Sequence, residues 1–244
     1  VFNPNNKTGF FSSNRDSGKG EDDIYFFNRT ETITIEDNSM AGQFTYRYLE
    51  GNPSKMEVLL LDEDGNNVFD NGTDEGSNIL QQAVAGCLNH MADSMLVFAP
   101  HMNSYRRFEP GSFAPTAPDW GVDHRGAGIR LPEIMGKGAR LEHRIAGADV
   151  NPYLVLSAII GGMLHGLENE LQLPPPLDDE DATLTQPLTH DWRAAVAAFE
   201  GSEFAQDVFG ADYHHIYAAI RQNEIKELTA LITEVEYKYY LSRL

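Results

Sequence analysis

The sequence predicts an α+β domain. Strand-like segments at 56–62 and 138–146 share the chain with long segments of helical spacing at 78–94 and 151–171. With 244 residues, 41% of them hydrophobic, the chain is long enough to bury a core. Charged residues make up 23% and the 12 prolines are spread along it, a composition unlike a disordered or fibrous repeat.

Residues 1–55 are rich in Asn, Ser, Gly and charge; a short helix is expected from Asp22 to Arg29 and a strand from Gln43 to Leu49. Met56 to Asp62 reads as a strand entering a hairpin-type turn, Asp62-Glu63-Asp64-Gly65-Asn66-Asn67, before Val68-Phe69. From Asn78 to about Ser94 the set Ile79, Ala83, Cys87, Met91 with Leu80, Val84, Leu88 recurs at helical spacing, so Cys87 and Met91 read as core residues. A proline-punctuated loop from Pro100 to Pro118 has a length associated with function. Asn151-Pro152 is a cap and first-turn proline opening a buried helix to about Leu171, where Gly161-Gly162 allow close packing. Gln172 to Gln186, with three prolines and Asp178-Asp179-Glu180-Asp181, is an exposed connector. Three helical patterns close the chain, at about His190–Glu200, Ser202–Val208 and Asp212–Thr233.

Several function classes drop out. A net charge of −19 argues against nucleic acid or an anionic membrane surface as partner. The apolar stretch Leu154 to Leu167 is too short to span a bilayer, and no charged-then-apolar leader opens Val1-Phe2-Asn3-Pro4, so a cytoplasmic location is expected. A lone Cys87 rules out an internal disulfide framework and a cysteine-built zinc site. Adjacent His214 and His215 point in different helical directions and make poor co-ligands. No P-loop, dinucleotide fingerprint or Ser-His-Asp signature is present.

The positive charge is concentrated. Between Arg106 and Arg144 stand seven basic residues (Arg106, Arg107, Arg125, Arg130, Lys137, Arg140, Arg144) against five acids, while the rest of the chain carries a net of −21. Six of the seven are arginine, whose planar fork suits carboxylate and phosphate oxygens. Gly138 to Ala146 alternates as a half-buried strand, which puts Arg140, Glu142 and Arg144 on one face and Leu141, His143 and Ile145 on the other. Beside a second strand ending Ile129-Arg130-Leu131-Pro132, that row suits phosphate on the arginines and a divalent cation on the carboxylate. The plainer alternative is a neutralised charge ladder on a solvated sheet face.

Asn103-Ser104-Tyr105-Arg106-Arg107-Phe108, Pro110-Gly111, Ala114-Pro115, Arg140-Leu141-Glu142-His143-Arg144 and Gly147-Ala148-Asp149-Val150-Asn151-Pro152-Tyr153-Leu154 resemble, in order, blocks of the glutamine synthetase family. The resemblance runs from about Asp62 to the end, and Pro110 to Pro118 looks most like its γ-glutamylputrescine synthetase branch. It implies a glutamine synthetase-like catalytic domain: an antiparallel sheet with helices packed on one side and a helical C-terminus, truncated at the N-terminus. Residues 1–55 would be its poorly matched, eroded start and 56–244 its C-terminal catalytic portion. The implied activity is an ATP-dependent carboxylate–amine ligase that joins glutamate to an amine, such as the polyamine putrescine, through a γ-glutamyl phosphate. ATP is co-substrate, with Mg²⁺ or Mn²⁺, and the implied assembly is a homo-oligomeric ring. By matched position, Arg107 and Arg144 hold the glutamate carboxylates and the intermediate, Arg125 the transferring phosphoryl group, and Arg130, Arg140 and Lys137 the ATP phosphates. Glu142 is the implied metal ligand; Phe113, where ammonia-using relatives carry a glutamate, and Trp120 pack the alkyl chain of the amine.

The chain also departs from the family. The first metal-bearing carboxylates have no counterpart: Phe10-Phe11-Ser12-Ser13 stands where a metal glutamate is expected. In Gly51 to Val58 no histidine is present, and Glu57 is the candidate replacement ligand, opposed by Lys55. These departures motivate an alternative, a catalytically silent fragment or pseudoenzyme acting as a structural or regulatory partner.

Overall fold

The computed structural model describes residues 57–62, 64–109, 112, 114–177, 186–241 and 243, together with the backbone of the strands between 9 and 56. β1 (Gly9–Ser13) pairs antiparallel with β2 (Asp23–Phe27), Phe10 opposite Phe26. The helix expected at Asp22 to Arg29 is therefore a strand: the run Ile24-Tyr25-Phe26-Phe27 is β-branched and aromatic, and such side chains favour an extended backbone. A six-stranded sheet follows, in the order β3 (Ile33–Thr34), β4 (Met40–Arg47), β5 (Lys55–Asp62), β8 (Arg140–His143), β7 (Ile129–Glu133), β6 (Trp120–Val122).

The sheet is antiparallel except at β6–β7, which run parallel, Trp120 opposite Ile129. Parallel neighbours ordinarily need a crossover of a dozen residues or more. Here residues 123–128 suffice, and Asp119 explains how. Its carboxylate accepts the Gly128 N–H at 2.7 Å and its carbonyl the Ile129 N–H at 2.9 Å, while Asp123 adopts a left-handed φ of 49°. Gly128 permits the close return, since a Cβ there would lie 2.7 Å from the Ala117 carbonyl oxygen.

β5 runs into the expected turn, where the Asp62 carboxylate accepts the N–H groups of Asp64 and Asn66 and Gly65 takes φ +82°. α1 (Asn78–Asn89) starts on the Ser77 side chain, which accepts the Leu80 N–H, and stops at His90, short of the expected Ser94; a turn leads to α2 (Met95–Phe98). A 3-10 turn, Met102–Arg107, lies inside the predicted loop. α3 (Pro152–Glu168) opens on the Asn151 cap with proline in its first turn, as its sequence requires. α4 (Trp192–Glu200), α5 (Glu203–Phe209) and α6 (Ala211–Thr229) match the three closing patterns, but the last breaks at Ala230 and resumes as α7 (Glu234–Leu241). The expected connector begins exposed at Gln172; its residues 178–185 lie outside the described residues.

The core joins Val58, Ile129, Leu131 and Leu141 of the sheet to Leu80, Val84 and Leu88 of α1 and Val155 and Ile159 of α3. Cys87 belongs to it, its thiol donating to the Ile159 carbonyl at 3.5 Å, and burial pushes its pKa up to about 12, which keeps it unreactive. His214 is buried against the Phe199 carbonyl, 2.7 Å away, and His215 is exposed, so the two do not share a site. α1 and α3 cross where Gly86, Gly162 and Gly166 bring backbone onto backbone. A methyl group on Gly166 would overlap the Gln82 carbonyl oxygen, whereas one on Gly201 would meet only an ordinary contact at 3.4 Å. Gly166→Ala is accordingly expected to lose about 2–3 kcal/mol in urea denaturation, the usual scale of overpacking, with Gly201→Ala close to unchanged.

Candidate functional site

Three adjacent strands set the site. In register, Glu57 of β5 lies opposite Glu142 of β8, and Glu142 opposite Arg130 of β7. β8 is flanked on both sides, and Leu141, Glu142 and His143 are all buried, so both of its faces are covered. On one face His143 packs against Phe98, and burial pushes its pKa down to about 3: it is a neutral core side chain. On the other, the Glu142 side chain is 1% exposed. A carboxylate taken that far from water needs charged partners. Among the described residues Arg130 Nη1 donates to Oε2 at 3.2 Å and Arg144 Nη1 to Oε1 at 3.1 Å. The solvated charge ladder is thereby excluded, because this face is not solvated.

The row continues on either side. Arg140 reaches Glu57 at 3.6 Å and Glu133 at 3.5 Å, and Nη1 donates to the Gly138 carbonyl. The buried Glu57 and Glu142 carboxylates, directly across a strand pair, would repel each other without these guanidiniums. Arg144 is held below the ordinary arginine range by burial; the Glu142 charge opposes this, and Arg130 and Arg125 add to it. Its Nε is buried with no hydrogen-bond partner among the described residues. Arg125 stands exposed on the 123–128 loop, close enough to act electrostatically on both Arg144 and Asp123.

Arg130, Arg144 and Glu142 therefore come together, with Arg140 and Glu57 beside them and Arg125 on the loop that leads into β7. The other expected residues have different contacts. Arg107 donates to the Ile145 carbonyl and, at 3.2 Å, to the Ala146 carbonyl, with its guanidinium 4.7 Å over the Phe108 ring. It grips the chain just past Arg144. Lys137 is exposed in the 3-10 turn Gly136–Gly138. Trp120 donates its indole N–H to the Pro174 carbonyl at 2.7 Å and accepts the Leu177 N–H on its own carbonyl, which ties the connector to β6. Phe113 lies outside the described residues.

One participant escaped the sequence reading. Arg130 donates from Nε, at 3.1 Å, and from Nη2 to a single oxygen of Asp123. The sequence offers only an acid two residues before Arg125; the left-handed backbone that turns it toward β7 has no local signature.

Among the described residues no group of three or more His, Cys, Asp or Glu side chains could hold a metal ion. The donor set is nevertheless the kind Mg²⁺ uses when it arrives with a phosphate: one or two protein carboxylates, completed by phosphate oxygens and water. Glu142 with Glu57 fits that description, and a resident all-protein cation does not. A separate cleft of about 250 Å³, lined by Tyr105, Arg106, His190 and Trp192 among others, includes no residue of the arginine row. No helix of the described residues is long and apolar enough to cross a membrane.

A family model described as the glutamine synthetase catalytic domain matches residues 24–240. The chain is 33% identical over 226 residues to the gamma-glutamylputrescine synthetase of Escherichia coli (strain K12), a match covering 90% of this chain and 48% of that protein. It is 34% identical over 224 residues to the gamma-glutamylethanolamide synthetase of Streptomyces coelicolor, covering 91% and 48%. A solved GmaS–ADP complex superposes with a TM-score of 0.69 at 25% identity, over 79% of this chain and 46% of that one. The chain thus spans about half the length of the curated relatives it matches.

The buried carboxylate gives a stability test. Glu142→Gln removes the charge that neutralises two half-buried guanidiniums and is expected to cost about 3–5 kcal/mol in chemical denaturation. Asp123→Asn, at a side chain 71% exposed, is expected to leave the transition midpoint where it was.

Proposed function

We propose that this chain, which belongs to the glutamine synthetase family, is the C-terminal catalytic portion of an ATP-dependent ligase that joins glutamate to an amine. Residues 56–244 supply the phosphate-handling face and 1–55 the eroded start of the same domain. The observation that carries the reading is the arginine row: Arg130 and Arg144 paired to the buried Glu142 carboxylate, with Arg125 on the neighbouring loop and Arg144 Nε without a hydrogen-bond partner among the described residues. That arrangement supports a site for an anion with several oxygens.

The chemistry demands such a site. The γ-phosphoryl group of ATP passes in line to the side-chain carboxylate of glutamate, forming the γ-glutamyl phosphate and releasing ADP. The amine then attacks the acyl carbon, the C–O bond to phosphate breaks, and the amine gives up a proton. The first step brings two anions together, so fixed positive charge must offset their repulsion in the transition state. Arg125 acts on the transferring phosphoryl group, Arg130, Arg140 and Lys137 on the ATP phosphates, and Arg144 with Arg107 on the glutamate carboxylates and the intermediate. Glu142, with Glu57 beside it, would hold Mg²⁺ or Mn²⁺, which supplies further positive charge to the phosphate oxygens. Phe113 and Trp120 form the apolar wall for the amine, of which putrescine is the leading candidate; the relatives named above are synthetases of gamma-glutamylputrescine and gamma-glutamylethanolamide, which supports an alkylamine. Exposed Ile216 and Ile220 on α6 and Ile232 and Val235 beyond it support association of several copies, in the ring this reading expects in the cytoplasm.

A second reading, a catalytically silent assembly or regulatory partner, is favoured by one observation: both Glu142 oxygens already accept guanidinium N–H groups. Calorimetric titration with Mg²⁺ and a nonhydrolysable ATP analogue separates the two, since micromolar binding counts against silence and no heat counts for it. For the ligase, phosphate release from ATP should depend on glutamate and an amine. Arg144→Ala should cut it about 10²–10³-fold, the worth of one fixed donor on a transition-state anion, with the circular dichroism spectrum unchanged. Unaltered kinetics in that variant would refute the role.

A further inference from the structure

The outer edge of Arg130 is already occupied. Its Nη1 points inward to Glu142, and its remaining fork, Nε and Nη2, closes on one oxygen of Asp123. A guanidinium presents that same fork to a phosphate oxygen. The two carboxylates on Arg130 differ in every respect that decides how firmly they stay. Glu142 is 1% exposed, sits on a central strand and is shared with Arg144; Asp123 is 71% exposed and sits on a six-residue loop. Its backbone is left-handed, a conformation Asp and Asn tolerate better than most residues. Arg125, exposed on the same loop, adds a weaker attraction to Asp123.

We propose that Asp123 is a displaceable stand-in for the phosphate: it caps the Arg130 fork when no anion is bound, must swing away when one binds, and so sets the affinity of the row for phosphate. The proposal rests on the reading that the arginine row binds phosphate, and adds to it a residue that weakens binding. Glu142 orients Arg130 from within, whereas Asp123 competes with the ligand from without. An exposed ion pair is weak enough to be displaced by a polyphosphate carrying several negative charges. A positioning role for Asp123 makes the opposite forecast, because removing an orienting partner loosens the arginine and weakens binding.

The test is calorimetric titration of the full chain with ADP, for the parent, Asp123→Asn, Arg130→Lys and the double variant. Asn keeps the left-handed backbone and removes the charge; Lys keeps the charge and removes the fork. Asp123→Asn is expected to bind ADP about fivefold more tightly at low ionic strength, with the gain shrinking as salt is added. In the Arg130→Lys background the same substitution should change affinity far less, which separates release of the fork from a general change in charge. ADP binding by the parent, with Asp123→Asn equal or weaker, overturns the stand-in and leaves the phosphate reading intact. An equal gain in both backgrounds also overturns it, since the fork is then not involved. If neither the parent nor Asp123→Asn binds ADP, both readings fall.

Discussion

Burial of one carboxylate organises this half of the molecule. Glu142 lies on a strand covered on both faces, in a chain of net charge −19, and an anion in that position is tolerable only if cations are built in around it. Arg130 comes from the neighbouring strand and Arg144 from the residue just past the strand end, each taking one oxygen. Glu57 across the other strand pair repeats the requirement and is met by Arg140. The clustering of arginine in an acidic protein is thus explained first by the structure: the cations are needed where the carboxylates are buried. Gathered for that reason, they also form a row of donors suited to phosphate.

The surroundings hold this row in place. The parallel β6–β7 pair carries Asp123 and Arg125 back toward Arg130 over only six residues, and the Asp119 bonds to Gly128 and Ile129 make so short a return feasible. Arg107, in the 3-10 turn inside the predicted loop, secures the carbonyls of Ile145 and Ala146 immediately after Arg144. Trp120 anchors the proline connector to β6, the edge strand of that pair. Beneath, the α1–α3 crossing at Gly86 and Gly166 packs two helices backbone to backbone within the core that β8 shares.

Much of this was legible in the sequence because it depends on short-range period. Two-residue alternation placed Arg140, Glu142 and Arg144 on one face and Leu141 and His143 on the other, and helical spacing placed Cys87 and Met91 in the core. The Asn151 cap and the proline after it fixed where α3 begins. What stayed hidden depends on tertiary context. Asp123 meets Arg130 only because a loop folds back in a left-handed conformation, and β2, whose β-branched and aromatic run favours an extended backbone, is fixed as a strand by pairing with β1. The break between α6 and α7 lies at Ala230–Thr233, where no proline or glycine marks it.

The most direct measurement is a crystal structure of the chain with a nonhydrolysable ATP analogue and Mg²⁺. The account predicts phosphate oxygens within hydrogen-bond distance of the Arg130 and Arg144 guanidiniums, with Arg144 Nε among the donors. A nucleotide seated elsewhere, with both arginines still turned only to Glu142, would contradict it.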